Sequence, residues 1–148
     1  MRHEIRSEIE IEAPPDAVWA RLADLGGYAE WNPFITRAEG TARAGERLSL
    51  RMQPSGGRAM TIRPTVTAAA TGSTFEWLGH LGVPGVFDGR HRFELTPTPA
   101  GTRLVQSESF RGLLVRPLRR SLDTGTRAGF EAMNAALRRR VLSAEPEP

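Results

Sequence analysis

Between residues 36 and 110 the sequence runs as six short alternating segments divided by glycine and proline punctuation, and this pattern limits the chain more than any other feature. The segments are residues 36–41, 47–53, 59–69, 74–81, 86–96 and 102–110. Leu48/Leu50/Met52, Met60/Ile62/Val66, Phe75/Trp77 and Phe87/His91/Phe93/Leu95 fall two or four positions apart, on one side of an alternating pattern. That period marks strands with one buried face. Gly45, residues 54–57, Gly72, residues 82–85 and residues 97–101 supply the turns. Turns this short join antiparallel neighbours, so the middle of the chain reads as a meander.

The flanks supply what covers this sheet. Ile5, Ile9 and Ile11 alternate with Glu4, Glu8, Glu10 and Glu12, which predicts a first strand ending at Ala13. Pro14 and Pro15 break it. Asp16, Ala17, Val18, Trp19, Leu22 and Leu25 then follow at helical spacing up to Gly26 and Gly27, with proline suited to the first turn. A second brief helix or turn carries Tyr28, Trp31 and Phe34 and closes at Asn32-Pro33.

After Gly112 the period becomes helical, and residues 117–142 are predicted as one long helix with Leu118, Leu122, Gly125, Gly129, Met133, Ala136 and Leu137 on one stripe. Arg116, Arg120, Asp123, Arg127, Glu131 and Arg138 fall opposite. Residues 143–148, acidic and holding two prolines, are expected to fray. A sheet and a helix that each carry one apolar side hide them against each other. The expected fold is therefore α+β, of helix-grip type. A curved antiparallel sheet of about seven strands wraps a long C-terminal helix, with two short helices after the first strand. Residues 1–148 are expected to form a single domain.

Composition excludes several functions. At 39% apolar and 25% charged residues the chain is not of disordered type. Every basic side chain is arginine, spread from Arg2 to Arg140 among acids with a net charge of +3, which argues against a nucleic-acid face. Cysteine is absent, removing disulfides, thiolate chemistry and Cys-zinc sites. There is no apolar signal-like start and no stretch near the ~20 apolar residues of a membrane span. A cytoplasmic protein, monomeric or homodimeric, is expected. No phosphate-binding loop, HExxH, calcium loop or GxSxG is present, so neither metal nor cofactor is expected.

Three segments carry a family resemblance: Ala13-Pro14-Pro15-Asp16-Ala17-Val18-Trp19 with Leu22, then Tyr28-Ala29-Glu30-Trp31-Asn32-Pro33-Phe34, and His91-Arg92-Phe93-Glu94-Leu95 leading to Gly101-Thr102-Arg103-Leu104. Met133-Asn134-Ala135-Ala136-Leu137 fits the end of the terminal helix. In order and spacing, from the first strand to about Leu142, the chain resembles the SRPBCC (START-like, polyketide-cyclase-like) superfamily. The resemblance implies a pocket between sheet and long helix. Its members include lipid and hormone carriers, polyketide cyclases and aromatases, co-chaperone domains and many bacterial proteins, so the fold does not choose a function. No shared catalytic motif transfers to this chain.

Register singles out the candidate site. Setting Leu95 opposite Leu104 keeps the apolar residues of the last hairpin on one face, which puts Phe93 opposite Gln106 and His91 opposite Glu108. If Leu81 pairs with Phe87, Trp77 lies beside His91. His91 and Glu108 are the candidate catalytic or anchoring pair, since imidazole beside carboxylate moves protons near neutral pH. The competing reading is a buried pair that only satisfies itself.

The expected pocket residues are Trp77, Phe87, His91, Phe93, Gln106 and Glu108 from the sheet, and Leu122, Gly125, Gly129 and Met133 from the helix. Each helix glycine costs about 1 kcal/mol against alanine, so each makes either cavity space or close packing. Trp19 and Trp31 read as core, His80 as exposed and His3 as peripheral. The loop over residues 79–89 is a pocket cover or a tight hairpin. Phe110, Leu113, Leu114 and Val115 close the same mouth or pack the helix start. The expected partner is a small hydrophobic or aromatic molecule, polyketide-, lipid- or isoprenoid-like. A cyclase or dehydratase using His91 and Glu108 is the first rival, and an interaction domain with a closed cavity the second.

Overall fold

A computed structural model describes residues 2–143; of the tail expected to fray, residues 144–148 lie outside the described residues. The order is β1 (Arg2–Ile11), α1 (Pro15–Leu22), a 3-10 turn (Leu25–Glu30), β2 (Ile35–Glu39), β3 (Ser49–Met52), β4 (Met60–Ile62), β5 (Thr65–Ala70), β6 (Thr74–His80), β7 (Asp88–Thr98) and β8 (Gly101–Arg111). Then come α2 (Val115–Ser121), a π-helical turn (Leu122–Thr126) and α3 (Arg127–Leu142). All strand pairs are antiparallel.

Eight strands form where about seven were expected, because the segment over residues 59–69 divides at Pro64. Proline has no N–H for the ladder and so ends a strand. The two halves enter different sheets, one of five strands in the order β1-β8-β7-β6-β5 and one of three in the order β2-β3-β4. Backbone bonds stitch them at this corner: Leu48 N donates to Pro64 O at 2.9 Å and Val66 N to Glu46 O at 2.8 Å.

The concave face of the larger sheet supplies Ile5, Phe75, Trp77, Phe93, Leu95 and Leu104, all buried. From the other side α3 supplies Phe130, Met133 and Leu137, each fully buried. α1 starts on Pro15 and buries Val18 and Leu22. It stops at Leu22, earlier than Gly26 and Gly27, and the Tyr28 hydroxyl donates to the Leu22 carbonyl at 2.5 Å. Burial pushes that hydroxyl's pKa well up, so it stays a donor. Trp19 and Trp31 are half-buried at the core's edge, with Trp19 edge-on to Phe75 and Trp31 to Tyr28.

The terminal helix runs unbroken from Val115 to Leu142, as the periodicity implies, but it is not regular α-helix throughout. It starts at Val115 with Pro117 inside the first turn, then widens into the π turn. Thr124-Gly125-Thr126 are poor helix formers, which weakens the α register there. The two glycines differ in use. A side chain at Gly125 would sit 3.1 Å from the Ser55 carbonyl, at the edge of open space. One at Gly129 would collide with the Phe34 ring, which lies edge-on to Phe130 at 5.6 Å. Gly129 therefore serves close packing and does not make cavity space.

On the convex face Glu76 is nearly buried and accepts from Thr67, Arg90 and Arg92, each at 2.8 Å. Burial alone would raise its carboxyl, but these bonds outweigh burial and hold it below the usual carboxylate range. A depressed folded pKa stabilises above the unfolded value and is lost as pH falls through the folded value.

Two outcomes are expected. Gly129→Ala destabilises by about 1–3 kcal/mol in chemical denaturation, because overpacking against Phe34 exceeds the helix-propensity gain. Glu76→Gln costs on the order of 1 kcal/mol at neutral pH after solvent screening of the arginines, and its gap from the parent closes in acid denaturation profiles as Glu76 itself becomes protonated.

Candidate functional site

The concave face of β6 and β7 is a ladder of facing pairs: Phe75 with Phe93, Trp77 with His91, Gly79 with Gly89, and Leu81 hydrogen-bonded to Phe87. At one rung both side chains are missing. Alternate residues share a face, so this rung adds no side chain of its own to the concave surface, and Pro64 beside Gly79 and Glu108 across Gly89 border the space instead. Over it lies a cavity of about 430 Å³. Trp77, Phe87 and Phe110 wall it from the larger sheet, Met52 and Ile62 from the smaller, and Leu122 and Gly125 from the π turn.

Glu108 reaches this space from β8 by leaning across Gly89, where any side chain would collide with its Oε2. Its Oε1 lies 3.0 Å from His91 Nδ1. Oε2 has no hydrogen-bond partner among the described residues and faces the cavity, which Glu108 lines. His91 is fully buried behind it, stacked on Trp77 with centroids 4.7 Å apart and edge-on to Phe130 at 5.0 Å.

A buried polar chain continues from the imidazole. His91 Nε2 is 2.9 Å from Gln106 Oε1, Gln106 Nε2 donates to Asn134 Oδ1 at 2.7 Å, and Asn134 Nδ2 donates to Ser7 Oγ at 3.1 Å. It links β7, β8, α3 and β1. With an oxygen before each ring nitrogen, both N–H groups donate when the ring is protonated; turning both amides over suits the neutral ring equally. Every buried polar side chain in the chain of bonds is paired, as low-dielectric surroundings demand.

At the mouth, His80 Nδ1 lies 2.6 Å from Asp88 Oδ1, and Asp88 also accepts from the Gly85 amide at 3.1 Å. The His80 bond, reinforced by the amide against a smaller opposing effect of burial, holds the Asp88 carboxyl below its usual range. The 81–87 segment is thus an ordered turn clasped at its base. His80 is exposed, but His3 is half-buried and bonds Asp123 of the π turn at 2.7 Å.

The register inferred from Leu95 and Leu104 is the one found, with Phe93 opposite Gln106, His91 opposite Glu108 and Trp77 beside His91. Of the residues expected at the pocket, Trp77, Phe87, Glu108, Leu122 and Gly125 line it. His91, Phe93, Gln106, Gly129 and Met133 do not; they are buried beneath the wall. The reason is layering: Trp77 and Phe130 close over the imidazole, so it meets the cavity only through Glu108. Sequence reasoning missed the Gly79–Gly89 rung, the walls from Phe34, Met52 and Ile62, and Asn134. Asn134 was detectable as the one amide on the apolar stripe between Phe130 and Leu137.

The chain matches a family model described as polyketide cyclase / dehydrase and lipid transport over residues 2–142. It belongs to that family. The membership places it in the SRPBCC superfamily. TTHA0849 from Thermus thermophilus is similar in structure, with 21% identity, a TM-score of 0.78, and coverage of 97% of this chain and 100% of that one. The di-domain ARO/CYC BexL from the BE-7585A biosynthetic pathway has 14% identity and a TM-score of 0.77, with 98% of this chain and 51% of that chain covered. A norcoclaurine synthase point mutant from Thalictrum flavum, in complex with a transition-state analogue, has 16% identity and a TM-score of 0.73, over 96% of this chain and 95% of that one. At such identities the likeness is of fold. No curated protein matches the sequence significantly.

Among the described residues no cluster of three or more His, Asp or Glu side chains suits a metal ion, and no helix is long and apolar enough to cross a membrane.

His91→Ala is expected to lower stability by about 2–4 kcal/mol in chemical denaturation, through the void beside Trp77 and the stranded Gln106 amide. Glu108→Gln is expected to cost about 1 kcal/mol or less, because one of its oxygens already faces open space.

Proposed function

We propose that this protein binds a small, mainly apolar molecule in the cavity, oriented by a hydrogen bond to Glu108 Oε2. One observation carries the reading: an apolar hollow whose lining contains a carboxylate oxygen with no partner among the described residues. Burial of guest surface supplies most of the affinity, at about 25 cal/mol per Å² before association costs. The carboxylate selects a guest with a hydroxyl or other donor at its inner end. The volume fits a compact polycyclic, polyketide-like or isoprenoid-like body, in keeping with the family's description.

A second reading has support from the same carboxylate. Backed by His91, Glu108 can take a proton from a guest and return it, as a cyclase or dehydratase requires. His91 then acts as a positioning residue behind Glu108.

Native mass spectrometry of the purified chain, with fluorescence titration of 2-naphthol against naphthalene, tests the binding reading. The parent is expected to prefer the hydroxylated guest, and Glu108→Leu to lose that preference by roughly tenfold or more, as for a hydrogen bond to a charged group. Gly79→Leu, which fills the empty rung, is expected to weaken both guests. Absence of binding for either compound up to its solubility limit, with no co-purified molecule, sinks the proposal. Conversion of a polyketone guest that stops in Glu108→Gln while its affinity stays would favour the enzyme.

A further inference from the structure

The cavity mouth is bordered by apolar side chains that nothing covers. Leu113 is 81% and Val83 65% exposed, and Leu81, Leu114 and Leu118 are exposed beside them. They form one patch. Leu113 N donates to Gly85 O at 3.2 Å and Leu114 N to Val86 O at 3.0 Å, joining the β6–β7 turn to the start of α2, while Leu81 and Leu118 line the cavity itself. Contiguous apolar surface at this position marks a contact site.

The segment that carries Leu113, Leu114 and Leu118 has charge of one sign. Residues 111–121 hold Arg111, Arg116, Arg119 and Arg120 and no acid. All four are exposed, and none makes an ion pair with a described carboxylate. None of the four lines the cavity. They are placed to meet an extended anionic surface outside the mouth and not the head of a single guest within it.

We propose that this face docks on an anionic lipid bilayer, with Val83 and Leu113 entering the interface and the α2 arginines on the headgroups. Apolar residues within a basic collar are the composition of an interfacial contact. A bilayer also gives an apolar guest a path between hydrocarbon and cavity that avoids water; in that respect the inference rests on the binding function proposed above. An acidic polypeptide would match the charge but would not account for exposed leucines continuous with the cavity lining.

Flotation of the full chain with phosphatidylcholine vesicles, with and without about one-third phosphatidylglycerol, tests the proposal at low and at high salt. The parent is expected to float with the anionic vesicles only, and to be released by salt. Each arginine contributes about fivefold, so Arg116→Gln, Arg119→Gln and Arg120→Gln together lower partition about a hundredfold. Leu113→Ser with Val83→Ser lowers it about tenfold at unchanged salt dependence. All these side chains are exposed and off the cavity wall, so the variants keep their circular dichroism and their affinity for the neutral probe N-phenyl-1-naphthylamine.

Failure to float with anionic vesicles, equal partition of the variants, or equal partition into neutral vesicles overturns the proposal. So does retention on polyglutamate without flotation, which assigns the face to an acidic polypeptide. Flotation without probe binding leaves docking standing and removes the cavity reading; probe binding without flotation does the reverse.

Discussion

The structure depends on cover for the concave face of the five-stranded sheet. Phe75, Trp77, Phe93 and Leu104 would be exposed without α3, and α3 has no stable reason to be helical without them, since short helices in water are marginal. The cover is uneven. From Arg127 onward Phe130, Met133 and Leu137 close tightly on the sheet, and Gly129 brings the helix against Phe34. Before Arg127 the π turn widens the helix, and opposite it two strands carry no side chain. The solid core and the hollow are consequences of one contact that is close at one end and slack at the other.

The boundary between these halves is polar. His91, Gln106 and Asn134 lie within the solid half, fully paired, and tie the strands to α3. Glu108 projects from that network into the hollow, one oxygen committed to the imidazole and the other outward. Such an arrangement fixes the carboxylate's position without using up its capacity to accept a further bond. Fixing a polar group by its neighbours is what a selective site requires. The fully buried imidazole therefore contributes by holding Glu108 in place, not by contact.

Much of this was legible in the sequence. Period-two alternation located the strands, and pairing Leu95 with Leu104 determined the whole register of β7 and β8, because a one-residue slip would turn Phe93 and His91 outward. Local pattern was less able to show where an element is interrupted. Pro64 sits inside a run that still alternates across it, so the passage from one sheet to the other shows only in three dimensions. The π turn lies inside the predicted long helix, and Thr124-Gly125-Thr126 was only a weak signal of it. The candidate site was found by face but not by depth: alternation says that His91 and Glu108 point the same way, whereas Trp77 and Phe130 decide that only Glu108 reaches the cavity. Gly129, which register cannot interpret, is explained by a phenylalanine ninety-five positions away in sequence.

Gly79 and Gly89 have no left-handed backbone requirement. Their φ angles are those any residue adopts in a strand, so the empty rung is a choice of side chain and not a demand of the main chain. Size and shape of the hollow can thus drift by point substitution at position 79 while the sheet's bonding stays intact. Position 89 is less free, because whatever appears there must also move Glu108. The width of the hollow is thus open to change at the first glycine, while the second is tied to the placing of a carboxylate.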